Sequence, residues 1–125
     1  MKPEEIELIE EELGVSLPSS YRKFIESYPD DIASILGDFE MISDCARLLE
    51  MNKDLRSHPF YRFPPWPKHF FAIGENGCGD YYFLDLRDRA GTVRFVDHEK
   101  LSDERIASNV AEWLPKILEE KQNEK

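Results

Sequence analysis

The sequence has no apolar segment approaching the roughly 20 residues that a membrane-spanning helix needs, and its opening residues are charged rather than an apolar leader. It has only two cysteines, Cys45 and Cys78, and they lack metal-ligand spacing. We therefore expect a cytoplasmic protein with two free thiols and no membrane insertion. Glycine is also scarce, with six residues in 125, so three of them within six positions mark a segment of interest.

Basic residues are scarce relative to acids. The chain has 26 acids against 16 bases, a net charge of −10. Residues 1–50 hold 13 acids and 4 bases, whereas residues 51–125 hold 13 acids and 12 bases, so the excess belongs to the N-terminal part. Direct nucleic-acid binding needs the opposite sign, and a basic protein partner fits better. The alternative is that the acidity only keeps the protein soluble.

Hydrophobic residues make up 41% of the chain and aromatic residues 12%, which predicts one globular domain over 1–125 with a disordered polar tail at 121–125. Apolar residues at helical spacing predict helices near 3–13, 19–28, 43–54 and 103–118. Ser102, followed by Asp103 and Glu104, is the predicted start of the last helix. Apolar and alternating segments predict strands near 38–42, 69–74, 80–86 and 92–97.

A glycine-rich turn separates two of these strands and contains Gly74, Asn76, Gly77, Gly79 and Asp80. Asn76-Gly77 is typical of a type I′ hairpin turn, since both residues tolerate a positive φ. The additional glycines indicate an unusual backbone path or a close approach by another group. Asp80 either accepts hydrogen bonds from local amides or faces a partner. A phosphate-binding loop is excluded, because this segment connects strand to strand and carries no Lys-Ser/Thr pair.

Trp66 lies between Pro65 and Pro67 in a connecting segment. Its side chain either fills the edge of the core or stands at a partner surface. We favour the core, because a large apolar side chain gains most by burial.

No set of residues predicts catalysis, a metal or a cofactor. Cys78 could form a thiol triad with His98 and Asp80 or Asp97, but nothing in the sequence brings them together, and Cys78 lies in a hairpin rather than at a helix N-terminus. Asp97, His98 and Glu99 are consecutive, so their side chains diverge, unlike the ligands of a zinc helix. We predict that the protein is not an enzyme.

Several short segments occur in a characteristic order over nearly the whole chain, from about Ile6 to Leu118. After an N-terminal helix they are Leu13-Gly14, Leu17-Pro18-Ser19-Ser20-Tyr21-Arg22-Lys23-Phe24, Trp66, Phe71-Ala72-Ile73-Gly74, Gly77-Cys78-Gly79-Asp80, Tyr82-Phe83-Leu84-Asp85 and Glu112-Trp113-Leu114. In this order they closely resemble the SUKH superfamily, which includes fungal cell-wall synthesis regulators and many bacterial proteins.

The resemblance implies an α+β domain with a central mixed or antiparallel sheet flanked by helices, and no enzymatic activity. Bacterial members are similar to immunity proteins, which bind a toxin of a polymorphic or contact-dependent system, often a nuclease. Fungal members act as regulators or scaffolds. The compact chain lacks long disordered arms, which favours a bacterial immunity protein that neutralises a basic cognate toxin, and we expect a monomer. The alternative is a regulatory adaptor that binds another cellular protein or ligand.

The resemblance does not assign the residues that meet a toxin. Acids at the ends of predicted elements are accessible to a partner, and a surface around Trp66 and the glycine-rich turn is the second choice. The candidate contacts are Asp30, Asp31, Asp38, Glu40, Trp66, Glu75 and Asp80.

Overall fold

The computed structural model describes residues 1–28, 32, 35, 40–61, 63–99 and 103–123, without the side chains of 122 and 123. The helices are α1 (Pro3–Leu13), α2 (Ser19–Glu26), α3 (Cys45–Ser57) and α4 (Val110–Asn123). The strands are β1 (Phe70–Glu75), β2 (Tyr81–Asp85), β3 (Val93–Val96) and β4 (Asp103–Ala107). They form one antiparallel sheet in the order β1-β2-β3-β4. The α+β fold expected from the sequence is confirmed.

Helices α1 and α3 follow local signals in the sequence. Pro3 stands in the first turn of α1, and Gly14 ends the helix in the left-handed conformation, with φ of 66°. The N-terminus of α3 is capped by Asp44, whose carboxylate accepts a 2.9 Å hydrogen bond from the backbone N–H of Arg47.

In the described part of the chain, no helix is long and apolar enough to cross a lipid bilayer.

The predicted helix over 103–118 is wrong at its beginning. Residues Asp103–Ala107 form β4, which pairs with β3, and α4 begins only at Val110. Asn109 precedes α4 and its side chain accepts a 2.9 Å hydrogen bond from the N–H of Glu112. Ser102 and Asp103 had the composition of a helix cap, but Asp103–Ala107 pair with β3 as an edge strand, and such a tertiary contact overrides local helix propensity. At its other end α4 continues to Asn123, and residues 124 and 125 of the predicted tail lie outside the described residues.

The predicted strand over 38–42 lies partly outside the described residues, and 40–42 are not a regular strand. The backbone of this segment nevertheless runs antiparallel to β1. Glu40 N–H donates to the carbonyl of Glu75 at 2.8 Å, and Ile42 N–H donates to the carbonyl of Ile73 at 2.9 Å. Part of the outer edge of β1 is therefore covered by irregular backbone.

The remainder of that edge is covered by α3 through the side chain of Asn52, which is only 1% exposed. Asn52 Oδ1 accepts a 2.8 Å hydrogen bond from Ala72 N–H, and Asn52 Nδ2 donates to Ala72 C=O at 3.0 Å. Nδ2 also donates to the carbonyl of Leu48, one turn earlier in α3. One amide side chain thus bonds to β1 as a neighbouring strand would.

The core lies on both faces of the sheet. On one face Phe71 of β1 packs edge-on against Tyr21 of α2, with ring centroids 5.7 Å apart. On the other face Trp66, in the proline-rich connection, packs against Phe83 of β2 at 5.4 Å. Trp66 is only 7% exposed, and its backbone N–H donates to the carbonyl of Leu55 at 2.8 Å. The structure therefore places Trp66 in the core.

We expect Asn52→Leu to lower the free energy of unfolding by about 2–4 kcal/mol, because it leaves both backbone groups of Ala72 buried without a partner. Urea unfolding followed by circular dichroism would measure the loss. Lys53→Ala is the matched control: Lys53 is the exposed neighbour that pairs with Glu12 at 3.0 Å, and its loss should cost less than about 1 kcal/mol. Equal effects of the two substitutions would contradict the role assigned to Asn52.

Candidate functional site

The loop over residues 76–80 joins β1 to β2 and is organised by Asn76. The Oδ1 atom of Asn76 accepts hydrogen bonds from Cys78 N–H at 2.8 Å and Asp80 N–H at 3.3 Å. Its Nδ2 atom donates to Asp80 Oδ2 at 2.9 Å. The loop is therefore closed by one side chain that bonds to the backbone of the following residues.

The predicted type I′ turn at Asn76-Gly77 is wrong. Glu75 pairs with Tyr81, so five residues rather than two form the loop. Its positive φ values fall on Gly77, at 82°, and Gly79, at 91°, and Asn76 has none. The reason is that the Asn76 amide bonds inside the loop, which leaves the left-handed positions to the two glycines.

Two glycines of the motif are required by close approaches within the chain itself. A Cβ atom at Gly74 would overlap the backbone carbonyl of Glu40, and one at Gly79 would overlap the hydroxyl of Tyr61. The close approach indicated by the sequence is thus explained by the segments that pack on the loop.

Asp80 connects the loop to the end of β3. It is only 9% exposed, and its Oδ1 atom accepts a 2.9 Å hydrogen bond from His98 N–H and lies 2.7 Å from His98 Nδ1. Burial raises the pKa of Asp80, but the hydrogen bonds from the His98 backbone, the Asn76 amide and the His98 ring outweigh it and hold the pKa below its ordinary range. The hydrogen bond with Asp80 raises the pKa of His98.

An exposed aromatic residue packs on this pair. The rings of Tyr61 and His98 are tilted by 32°, with centroids 4.6 Å apart, and Phe60 packs edge-on against Tyr61 at 5.1 Å. Tyr61 has a positive φ of 56° and is 56% exposed. A bulky residue in this conformation is unusual, and here the two rings and Gly79 hold it in place.

A polar cleft of about 670 Å³ opens beside Tyr61, between α3 and the segment that follows it. At its edge Arg47 Nη2 lies 3.1 Å from Glu75 Oε2, which ties α3 to the end of β1. The side chains that carry the polar and aromatic character of the cleft are Arg47, Glu50, Asp54, His58, Tyr61 and Tyr81.

Comparison with known families identifies the chain. The model of the SMI1/KNR4 family (SUKH-1) matches residues 1–116. The chain belongs to this family. The SUKH family includes toxin immunity proteins and is generally non-catalytic. No significant match was found among curated proteins or among solved structures.

The sequence-predicted contacts occupy different environments in this SUKH domain. Glu75 is paired with Arg47, Asp80 is bonded to His98, and both flank the glycine loop. The backbone N–H of Glu40 donates to the carbonyl of Glu75, and the Oε1 atom of Glu40 is 3.0 Å from Lys121 Nζ. Trp66 is in the core, and Asp30, Asp31 and Asp38 lie outside the described residues.

Sequence reasoning missed Tyr61, Arg47 and Tyr81. Tyr61 carries no local pattern that marks it, since its importance comes from the packing of Gly79 and His98 against it. Arg47 has a weak signal, because it is one of four bases in the acidic region 1–50.

The residues considered for chemistry are brought together only in part. Ligand-capable atoms of Asp80, Asp97 and His98 lie within 4.8 Å of one another, closer than their positions in the sequence suggest. The shortest contact in this group is the 2.7 Å pairing of Asp80 with His98, and Asp97 Oδ1 accepts a hydrogen bond from Glu99 N–H. The geometry is that of an ion pair that fixes a loop. Among the described residues, no hydrogen bond joins Cys78 to His98.

We expect Gly79→Ala to lower the free energy of unfolding more than Gly14→Ala does. Both glycines have positive φ values, but a Cβ at Gly14 meets nothing within 4 Å, whereas one at Gly79 displaces Tyr61. The difference should be about 1–3 kcal/mol, the usual cost of overpacking, in urea unfolding. In a Tyr61→Ala background this difference should become smaller; an unchanged difference would show that Tyr61 is not the obstacle.

The pairing of His98 with Asp80 makes stability depend on pH. Because the pKa of folded His98 is raised above its ordinary 6.5, the stabilisation is full below pH 6.5 and is lost as the pH rises through the folded value. Because the pKa of Asp80 is lowered from its ordinary 3.8, its contribution is present above that value and is lost as the pH falls through the folded value.

Urea unfolding of the wild type and of His98→Gln between pH 4 and pH 8 should therefore give curves that converge as the pH rises above 6.5. His58→Gln is the control, since the ring of His58 contacts a backbone carbonyl, that of Asp54, at 3.3 Å. This substitution removes an imidazole and leaves the pair of His98 with Asp80 intact. A constant difference between wild type and His98→Gln would contradict the ion pair.

Proposed function

We propose that this SUKH-1 protein is an immunity protein that binds and neutralises a cognate nuclease toxin of a polymorphic or contact-dependent system. The observation that carries the proposal is the match of the family over residues 1–116, because the family includes toxin immunity proteins. Inhibition by stoichiometric binding requires no catalytic residue, cofactor or metal in the inhibitor.

The distribution of charge supports a basic partner. Nucleases bind phosphates through basic surfaces, and an acidic protein surface complements such a cleft without being a substrate. In the described structure, the exposed side of α1 carries Glu4, Glu7 and Glu11. These side chains recur at helical spacing, so negative charge lies along one side of the molecule.

Charge at the ends of the sequence-predicted elements is expected to steer the toxin into place. The proposed contributors are Asp30, Asp31, Asp38 and Glu40. Electrostatic steering acts mainly on the association rate and is weakened by salt, whereas dissociation depends on the packed contacts.

Co-expression with the toxin encoded in the adjacent gene tests the proposal directly. The pair should co-purify, and the immunity protein should restore growth. Failure of both would refute the proposal. Capture of a housekeeping protein and no toxin would favour the adaptor function instead.

Neutralising Asp30, Asp31, Asp38 and Glu40 together, to Asn and Gln, should slow association with the toxin about tenfold or more at low ionic strength. Dissociation should change less. Stopped-flow or surface-plasmon measurements across a salt series would show both effects, with thermal unfolding as a check on folding. Neutralising the exposed acids Glu104, Glu112, Glu119 and Glu120 removes the same amount of charge from the C-terminal part and is the control for net charge alone. An association rate that responds to neither salt nor the four substitutions would leave the N-terminal acidity as a determinant of solubility.

A further inference from the structure

The polar cleft beside the glycine loop combines aromatic walls with carboxylates. Phe60, Tyr61 and Tyr81 supply rings, and Glu50 and Asp54 supply acids from one side of α3. The two acids are four residues apart, so they project from the same side of the helix. The side chain of Glu50 is 69% exposed, so its carboxylate is open to a partner.

The ionic balance of the cleft is negative. Arg47 is the cation in its lining, and its guanidinium is engaged by Glu75 Oε2 at 3.1 Å, with Glu50 Oε1 farther away at 4.0 Å. Within the described part of the chain, no cation lies within ion-pair distance of the Asp54 carboxylate. Among the described residues that line the cleft, one base, Arg47, therefore stands against two acids, Glu50 and Asp54, and that base is already paired with Glu75.

Burial and nearby acids together raise the pKa of the Tyr81 hydroxyl. Burial is the largest cause that raises the pKa of Tyr81, Glu75 is the next, and Asp54 adds to it, while Arg47 opposes them. The carboxylates of Glu50 and Asp54 in the lining favour a cation over a further anion.

Tyr61 supplies an accessible ring at the mouth of the cleft. One side of it is stacked with His98, and 56% of the residue is exposed. Its backbone is held at a positive φ of 56° by the surrounding packing, so the ring is positioned before any partner arrives.

From these features we infer that the cleft binds the guanidinium group of an arginine side chain presented by the basic partner. A guanidinium stacks on an aromatic ring and donates hydrogen bonds to a carboxylate at the same time, which an ammonium group does less well. Tyr61 and Tyr81 supply the aromatic surface, and Asp54 and Glu50 accept the hydrogen bonds. The inference rests on the proposed function for the source of the arginine, since it places that side chain on the toxin.

The test uses capped arginine, N-acetyl-arginine amide, added to the full ¹⁵N-labelled chain and followed by NMR. N-acetyl-citrulline amide is the matched probe, because it has nearly the same shape and no charge. Arginine should shift the amides of α3, His58, Phe60, Tyr61 and Tyr81, with saturation in the millimolar range. Citrulline should leave them unchanged.

Variants identify the groups that bind. Tyr61→Leu and Asp54→Asn should each weaken arginine binding about threefold to tenfold. Tyr61→Phe keeps the ring and should bind as the wild type does. Glu112→Gln removes an exposed acid of α4, outside the cleft, and should also bind normally.

Four results would overturn the inference: equal shifts with citrulline, unchanged affinity in both Tyr61→Leu and Asp54→Asn, shifts that map away from the cleft, or stronger binding of inorganic phosphate at the same residues. The toxin assay separates this inference from the proposed function. If wild type and Tyr61→Leu bind the toxin equally well, the function stands and the arginine site fails. If capped arginine binds as expected but the adjacent toxin is not neutralised, the cleft stands and the proposed function fails.

Discussion

The double hydrogen bond between Asn52 and the backbone of Ala72 is the contact on which the arrangement of this molecule depends. The edge of a sheet exposes N–H and C=O groups that must find partners when buried. At Ala72 a single carboxamide supplies both the donor and the acceptor, and its further bond to Leu48 anchors it to its own helix. The helix is thereby fixed against the sheet in one register. Because α3 also carries Arg47 and the acids of the cleft, the geometry of the cleft depends on this attachment.

A bulge in β1 explains why two different segments cover the same edge. The pairing of β1 with β2 shifts by one residue between Ala72 and Gly74, so Ile73 is the additional residue. Before the bulge, outward groups of Phe70 and Ala72 bond to side chains of α3, those of Arg56 and Asn52. After it, the outward carbonyls belong to Ile73 and Glu75 and accept hydrogen bonds from the 40–42 segment. Gly74, with no side chain, lets that segment come close.

Local signals in the sequence were sufficient for α1 and for the strands on either side of the glycine loop, because proline, glycine and apolar spacing act within a few residues. They failed at 103–107, where pairing with β3 overrides the composition of a helix start.

The link between Asp80 and His98 spans 18 positions in the chain. It follows from the register of β2 on β3, in which Tyr81 lies opposite Val96. Tyr61 could not be found from the sequence, since the packing of distant segments determines its conformation. Asn52 had a signal, as a polar residue within the apolar side of α3.

The covered edge of β1 also limits how another protein can join this sheet. Many domains recruit an extended peptide by adding it as a further strand, which requires a free row of backbone donors and acceptors. At β1 that row is already occupied by Asn52, Arg56 and the 40–42 segment. The opposite edge strand, β4, begins with the exposed residues Asp103, Glu104 and Arg105, and charges at an edge discourage strand addition. What these two strands offer to another protein is therefore side chains rather than an open row of backbone groups.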